Sequence, residues 1–291
     1  MKKIIIGLLG IFTISTLSFA QRYEIGIYGG LSNLIGNVGN TNYLFPSIST
    51  FNGIYGPSIN LGGFYKKNFN PHQGVRLNLS YSNTTFKDPL SKEEYRRKRE
   101  NIGNNATFSL ESVFEYQFLP INGEQKESMF SPYIFGGVGA MFYSKIYTTL
   151  DFSKHRLVDA TGAFKLPAVA NYPNEERTLS DRLTMSVPFG IGLKYKFNYN
   201  WSLFGEITFR PTFADNIDYG NMQENQVKIF YNEDEIKAIR GGVGLSEDEI
   251  NTIIRTYVES KKVGNLNSKN WVNSVALGVS YSFGRPPCYC D

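Results

Sequence analysis

Bulky apolar side chains recur at every second position in several stretches of the chain, the period of a β-strand with one face turned to an apolar surrounding. The pattern is clearest near the C-terminus. There Trp271, Val275, Leu277, Val279, Tyr281 and Phe283 share one face, and Ser274, Ala276, Gly278, Ser280 and Ser282 share the other. A half-buried strand of a water-soluble protein carries charge on its exposed face. Here one face is bulky and apolar and the other small, which suits lipid outside and a crowded lumen inside. From Leu183 to Phe197 the alternate positions Leu183, Met185, Val187, Phe189, Ile191, Leu193, Tyr195 and Phe197 are all apolar or aromatic, and Thr184, Ser186, Pro188, Gly190, Gly192, Lys194 and Lys196 stand between them. After the short turn Asn198-Tyr199-Asn200, a partner strand points Trp201, Leu203, Ile207 and Phe209 outward and Ser202, Glu206, Thr208 and Arg210 inward, which completes a hairpin.

Weaker copies lie at 23–31, 58–67, 74–83, 106–118 and 132–145, bringing the count to eight. The copy after Pro132 is the least regular, because Ile134, Val138 and Phe142 make both of its faces apolar. An even number of antiparallel strands lets the last pair with the first. The expected fold is all-β: an eight-stranded antiparallel transmembrane β-barrel over 21–283, with long, partly helical extracellular loops. Connections alternate between short (68–73, 119–131, 198–200) and long (32–57, 84–105, 146–182, 214–270). Outer-membrane barrels have short periplasmic turns and long external loops, so both termini are expected in the periplasm.

The first twenty residues strengthen that placement. Lys2 and Lys3, an apolar stretch from Ile4 to Leu17 and Ser18-Phe19-Ala20 form a secretory signal peptide over 1–20, with Gln21 as the mature N-terminus. About 270 residues remain, room for one barrel with long loops. Aromatic residues reach 15%, with 22 Phe and 19 Tyr, and no later run is apolar enough for a spanning helix, so any membrane crossing is by strands. The formal net charge of +4 gives no footprint for nucleic acid.

Projecting charged residues onto the inward faces gathers Glu24, Arg76, Glu111, Glu115, Lys194, Glu206 and Arg210 in one lumen. Eight strands enclose only enough space for side chains, so a salt-bridge network that plugs the barrel is expected rather than a pore. In the loops, Ser91 with Glu94 and Ser246 with Glu249 carry capping-box spacing, and Asn232 can cap a helix running to Arg240. In the second of these, Ile250, Ile253, Ile254, Tyr257 and Val258 fall at helical spacing, a stripe expected to pack on the barrel rim or another loop.

Catalytic chemistry has little to work with. The chain has two histidines, His72 in a short turn and His155 in a long loop, with Ser153 the one hydroxyl close to the latter, so no catalytic residue, metal ligand or cofactor is expected. The acidic runs from Glu233 and Glu247 lack the alternate oxygens and glycine of a calcium loop and suit helix N-termini instead. Neither Gly136-Gly137-Val138-Gly139 nor Gly241-Gly242-Val243-Gly244 has the spacing of a phosphate loop. The tail over 284–291 is more pointed: Pro286 and Pro287 forbid strand continuation, and Cys288-Tyr289-Cys290 holds both cysteines of the chain. A ring closed between them would be strained. A disulfide to a partner, metal transfer and free thiols remain open, beside a tail with no role.

Several stretches resemble the PorG-like outer-membrane barrels of the Bacteroidota type IX secretion system. These are Glu24-Ile25-Gly26 with Gly30-Leu31-Ser32 and Gly36-Asn37-Val38-Gly39, Pro132 to Gly139, and Trp201 with Gly205 to Asp218. The resemblance implies a non-enzymatic role in protein transport and gliding motility, anchoring or organising a periplasmic ring of PorK-like lipoprotein and PorN-like protein. Pro286, Pro287, Cys288, Tyr289 and Cys290 would then face that ring, with a cysteine as candidate tether. The loop 214–270 is longer than such a family leads one to expect. The alternatives are a passive OmpA-like or OmpW-like barrel, structural or binding a small ligand, and a lipid-modifying barrel enzyme. The expected partners are outer-membrane lipids and the periplasmic ring proteins, with no nucleic acid and no small-molecule substrate.

Overall fold

The structure, a computed structural model, describes residues 23–39, 42–45, 58–121, 129–168, 172 and 175–284. The segment 1–20 expected to be a signal peptide and the tail residues Pro286, Pro287, Cys288, Tyr289 and Cys290 lie outside them. Among the described residues there are ten strands: β1 (Tyr23–Ile35), β2 (Ile59–Asn68), β3 (Gln73–Lys87), β4 (Ile102–Gln117), β5 (Met129–Phe152), β6 (Glu175–Ser186), β7 (Phe189–Lys196), β8 (Trp201–Phe209), β9 (Val227–Tyr231) and β10 (Trp271–Phe283). β6 and β7 are one stave interrupted at Val187-Pro188: Ser186 lies opposite Gly139 and Phe189 opposite Gly136, so the register runs through the break. Proline has no N–H to give, and Pro188 contributes its carbonyl alone to the seam, accepting from Gly137 N at 2.9 Å. Each stave pairs antiparallel with its sequence neighbours and β10 returns to β1, which closes eight of them into a ring.

The registers fix the stagger of that ring. Starting at Leu203 and stepping through Val279, Ile27, Gly63, Leu79, Leu110, Ala140 and Met185, the ladder returns to the first stave at Phe213, ten residues along from the start. Ten residues at about 3.3 Å over eight steps of about 4.8 Å tilt the strands by about 40° and give a backbone radius of about 8 Å. Long side chains pointing inward from opposite walls therefore meet near the axis.

The outward face is the one the alternation marks. Leu183, Met185, Ile191, Leu193, Leu203, Leu277 and their equivalents on the other staves are exposed, although all are apolar. No water-soluble monomer leaves so continuous an apolar band uncovered, whereas hydrocarbon covers it at no cost. Ile134, Val138 and Phe142 also point outward, and Tyr133, Phe135 and Met141 fill the lumen beside them, which accounts for the two apolar faces of β5. At the short-turn end Tyr65, Tyr23, Phe283 and Tyr281 stack ring to ring and Trp201 meets Tyr281 edge-on, in a belt of the kind found at a membrane–water boundary. β2 and β8, with 10 and 9 residues, have the length with which a tilted strand crosses a bilayer, roughly 9–11 residues. Among the described residues no helix is long and apolar enough to do so.

The tight turns owe their shape to asparagine. Asn70 Oδ1 accepts from His72 N and Gln73 N, and Asn198 Oδ1 accepts from Asn200 N and Trp201 N, local bonds that reverse the chain.

At the long-loop end several strands run further than the alternation suggests and reach into 32–57, 84–105 and 146–182, whereas 214–270 stays between β8 and β10, with β10 beginning at Trp271. β1 extends to Ile35, β3 to Lys87, β4 begins at Ile102, β5 reaches Phe152 and β6 begins at Glu175. Beyond the hydrocarbon the outward face need not be apolar, so the hydrophobic period fades while the hydrogen-bonded ladder continues. β9 adds to the projecting end of β5 in parallel, Thr148 opposite Val227.

Among the described residues three helices sit here: α1 (Glu94–Arg99), α2 (Glu233–Ile239) and α3 (Glu247–Lys261). Ser246 and Glu249 form the expected capping box, and Asn232 caps α2 by accepting from Glu235 N. α1 differs from expectation. Its N-cap is Glu93, because Asp88–Leu90 first makes a 3-10 turn that consumes the residues around Ser91. The stripe on α3 packs as predicted against another part of the loops: Ile253, Tyr257 and Val258 join Leu150, Phe152, Met222 and Val227 in one buried cluster. Arg240 pairs with Glu249 at 2.7 Å and locks α2 to α3, and that hydrogen bond holds the Glu249 carboxyl down at about 2.

Candidate functional site in the barrel lumen

Position along each strand decides which inward charges meet. At the short-turn end β1, β2, β4 and β7 bring Glu24, Lys66, Glu115 and Lys194 together, all essentially without solvent exposure. Lys66 Nζ lies 2.5 Å from Glu115 and 3.9 Å from Glu24, and Lys194 Nζ lies 2.8 Å from Glu24 and 3.8 Å from Glu115. Gln117 Nε2 donates to Glu115 at 2.6 Å. One layer up, Arg76 holds Glu206 through both guanidinium Nη atoms and reaches Glu115 at 3.5 Å, while the Tyr133 hydroxyl donates to Glu206 at 2.7 Å. Higher still, Arg210 Nε meets Glu111 at 2.6 Å, Arg210 Nη1 donates to Ser274 at 2.6 Å and Asn78 Nδ2 donates to Glu111 at 3.3 Å.

Four carboxylates thus face Lys66, Arg76, Lys194 and Arg210, a neutral set in which each ion offsets its neighbour's desolvation. Aromatic rings pack around the middle charged layer. Phe64 and Phe135 place their ring centroids 5.0 and 4.8 Å from the Arg76 guanidinium carbon, and Phe204 meets Phe64 edge-on. Glycines make room for the larger rings: a side chain at Gly192 would overlap the Tyr133 ring, and one at Gly62 the Tyr28 ring.

The mouth at the long-loop end is closed by apolar packing. Leu34, Val38, Phe86, Met141, Ile217 and Val272 form a buried cluster, with the strand-exit stretch after Arg210 folded down onto it. Asp218 ties that stretch to the end of β1: its carboxylate accepts from the backbone N–H groups of Asn37, of Val38 at 3.0 Å and of Gly220 at 3.0 Å. Burial nevertheless pushes the Asp218 carboxyl above its usual range.

All seven charged residues read from the inward faces lie in this lumen, linked in two groups: Glu24, Arg76, Glu115, Lys194 and Glu206 in the lower, Glu111 and Arg210 in the upper. The alternation missed Lys66, Gln117 and Tyr133. Lys66 stands beside Lys67, so charge alone does not show which of the two points inward. The parity of Leu61 and Tyr65, both lipid-facing, would have shown it. His72 and His155 sit at opposite ends of the barrel, His72 Nδ1 within 2.8 Å of the Gln117 carbonyl and His155 edge-on to Phe152, so the two cannot share a site. Among the described residues no group of three His, Cys, Asp or Glu is placed to hold a metal ion.

A closed, tilted eight-stranded ring with an apolar, aromatic-belted exterior and a packed polar interior defines an outer-membrane β-barrel. By sequence the chain belongs to the family described as a domain of unknown function, DUF6089, whose model matches residues 2–172. No curated protein matches it. Among solved structures it is similar to the N-terminal barrel domain of OprF from Pseudomonas aeruginosa, with 12% identity, a TM-score of 0.34 and coverage of 90% of this chain and 97% of that one. It is likewise similar to the attachment invasion locus protein Ail of Yersinia pestis, with 11% identity, a TM-score of 0.37 and coverage of 91% and 100%. A major outer membrane protein of Thermus thermophilus gives 17%, 0.38, 91% and 100%. The barrel assignment rests on the strand registers and on the chemistry of the two faces.

Proposed function

We propose that this protein is a non-conducting, non-enzymatic barrel that anchors or organises a periplasmic assembly beneath the outer membrane, with its short turns and tail toward the periplasm and its long loops outside. The packed, ion-paired lumen carries the reading. With a backbone radius of about 8 Å, filled from Glu24 up to Arg210 and capped by apolar side chains, the interior has been given to stability, and function falls to the two ends. The resemblance in Glu24 to Gly39, Pro132 to Gly139 and Trp201 to Asp218 points to the ring of PorK-like lipoprotein and PorN-like protein of type IX secretion as the assembly. In sequence, Pro286 to Cys290 begins three residues after Phe283, the short-turn end of β10, and holds both cysteines of the chain, the candidate tethers.

The test compares membranes carrying the wild-type chain with membranes carrying Cys288→Ser/Cys290→Ser on non-reducing gels, after affinity capture of the barrel. The expected result is a high-mass adduct containing a periplasmic lipoprotein that vanishes in the double variant. Capture of the ring proteins without an adduct would leave a non-covalent anchor. Capture of none of them, together with steady ion conductance in planar bilayers, would instead favour a passive barrel.

A further inference from the structure

Where the apolar face ends toward the long loops, two rows of outward side chains lie one above the other across β3, β4, β5 and β6. The registers align Tyr81, Phe108, Phe142 and Leu183 in the lower row, and pair Asn83 with Ala106 and Ser144 with Asp181 in the upper. The lower row is aromatic or apolar and the upper small or polar, so hydrocarbon gives way to lipid headgroups between them. At this boundary the outer surface holds a pocket of about 180 Å³, and its lining includes Tyr81, Phe108, Phe142, Ala106, Ser144 and Asp181.

The pocket has a structural cause. The ladder between β4 and β5 stops at Thr107 and Tyr143. One residue along β4, Asn105 spans the two strands with its side chain: Nδ2 donates to the Ser144 carbonyl at 2.8 Å, and Oδ1 accepts from Ser144 N at 3.1 Å. A side-chain amide standing in for a backbone pair sets the strands further apart than a ladder does, and the methyl group of Ala106 is too small to fill the gap on the outer face.

Among the described residues Asp181 is the one charged side chain in the lining, and no lysine or arginine pairs with it. Arg182 lies on the other face of β6, where it donates to the Tyr147 hydroxyl and sits over the Tyr147 ring. Ser144 Oγ donates to Asp181 Oδ1 at 3.4 Å, so Oδ2 and the lone pairs of Oγ remain as acceptors. Below them Tyr81, Phe108 and Phe142 are each more than two-fifths exposed and supply aromatic surface, which attracts a cation through the ring quadrupole.

We propose that this pocket binds the primary ammonium of an ethanolamine-type lipid headgroup. An uncompensated carboxylate beside three aromatic rings selects a cation, and the level at which the apolar row stops selects one carried by a lipid. The N–H groups of a primary ammonium can donate to Asp181 and to Ser144 together, with the acyl chains lying down the apolar wall.

The full-length protein, released into the gas phase from nanodiscs holding equal parts of phosphatidylethanolamine, phosphatidylcholine and phosphatidylglycerol, tests this by native mass spectrometry. Matched acyl chains make the general lipid-face contacts the same for each lipid. Phosphatidylethanolamine should be retained in preference to phosphatidylcholine, whose ammonium has no N–H to donate, and to phosphatidylglycerol, which has no cation. Asp181→Asn should lower that preference by about fivefold, the scale of an exposed ion pair. Phe142→Leu should lower it by about twofold. Glu176→Gln, on the same strand but on its opposite face, should leave it unchanged. Heat-modifiable gel mobility shows that each variant is folded. Phosphatidylcholine held as well as phosphatidylethanolamine would overturn the hydrogen-bonded ammonium. No preference for phosphatidylethanolamine in the wild type, or one that persists in Asp181→Asn, would overturn the site.

Discussion

Replacing Glu115 by Gln keeps the shape of the side chain and removes one charge from the centre of the lower network. Lys66 at 2.5 Å, Arg76 at 3.5 Å and Lys194 at 3.8 Å would then share two carboxylates, Glu24 and Glu206, while all of them stay shut off from bulk solvent. Breaking a buried pair from one side costs about 3–5 kcal/mol, because the surviving ion stays desolvated. Removing both members, as in Lys66→Met/Glu115→Gln, restores neutrality and should cost far less than the sum of the single changes. The coupling energy in the double-mutant cycle should approach about 3 kcal/mol. The exposed pair Glu94–Lys98 on α1, at 2.8 Å but largely in solvent, should contribute less than about 1 kcal/mol by the same measure. The assay is urea unfolding in lipid vesicles, followed by fluorescence of Trp201 and Trp271 and by gel mobility. A Glu115→Gln barrel within about 1 kcal/mol of wild type, or single changes that simply add, would refute the view that the lumen is held by mutual charge compensation.

Leu203→Arg on the lipid face should destabilise by about 2–4 kcal/mol in the same vesicles, whereas Val243→Arg, equally exposed but at the long-loop end, should stay within about 0.5 kcal/mol. Equal costs at the two positions would mean that the apolar band does not lie in hydrocarbon. Glu249 titrates at about 2 when folded, below the ordinary glutamate value of about 4.3, so its bond to Arg240 stabilises the α2–α3 joint above that ordinary value. The stabilisation should fade as pH falls toward about 2, read as faster amide exchange in α3 after correction for the intrinsic rate. Glu249→Gln should exchange fast throughout. An α3 equally protected at pH 5 and pH 2.5 would contradict the assignment.

The sequence by itself determined the wall of this protein. Period-2 alternation depends on the pleat and on the solvent of each face, both local properties, so Leu183 to Phe197 and Trp271 to Phe283 could be read as lipid-facing staves, and the inward charges could be named from parity alone. It likewise announced the caps of α2 and α3, since Asn232, Ser246 and Glu249 act within one turn. What the tertiary structure decided was everything set by stagger. Which ions meet depends on ten residues of shear accumulated round the ring, so the lower group around Glu115 and the separate Glu111–Arg210 pair could not be sorted from alternation. Parity could have turned Lys66 inward, but that it meets Glu115 and Glu24 follows only from the registers of β1 to β4. Above the membrane, where lipid no longer imposes an apolar face, alternation stops while hydrogen bonding continues. The extra reach of β5, the docking of β9 and the convergence of Tyr81, Phe108, Phe142 and Asp181 on one pocket are products of chain segments far apart in sequence, and they were visible only in three dimensions.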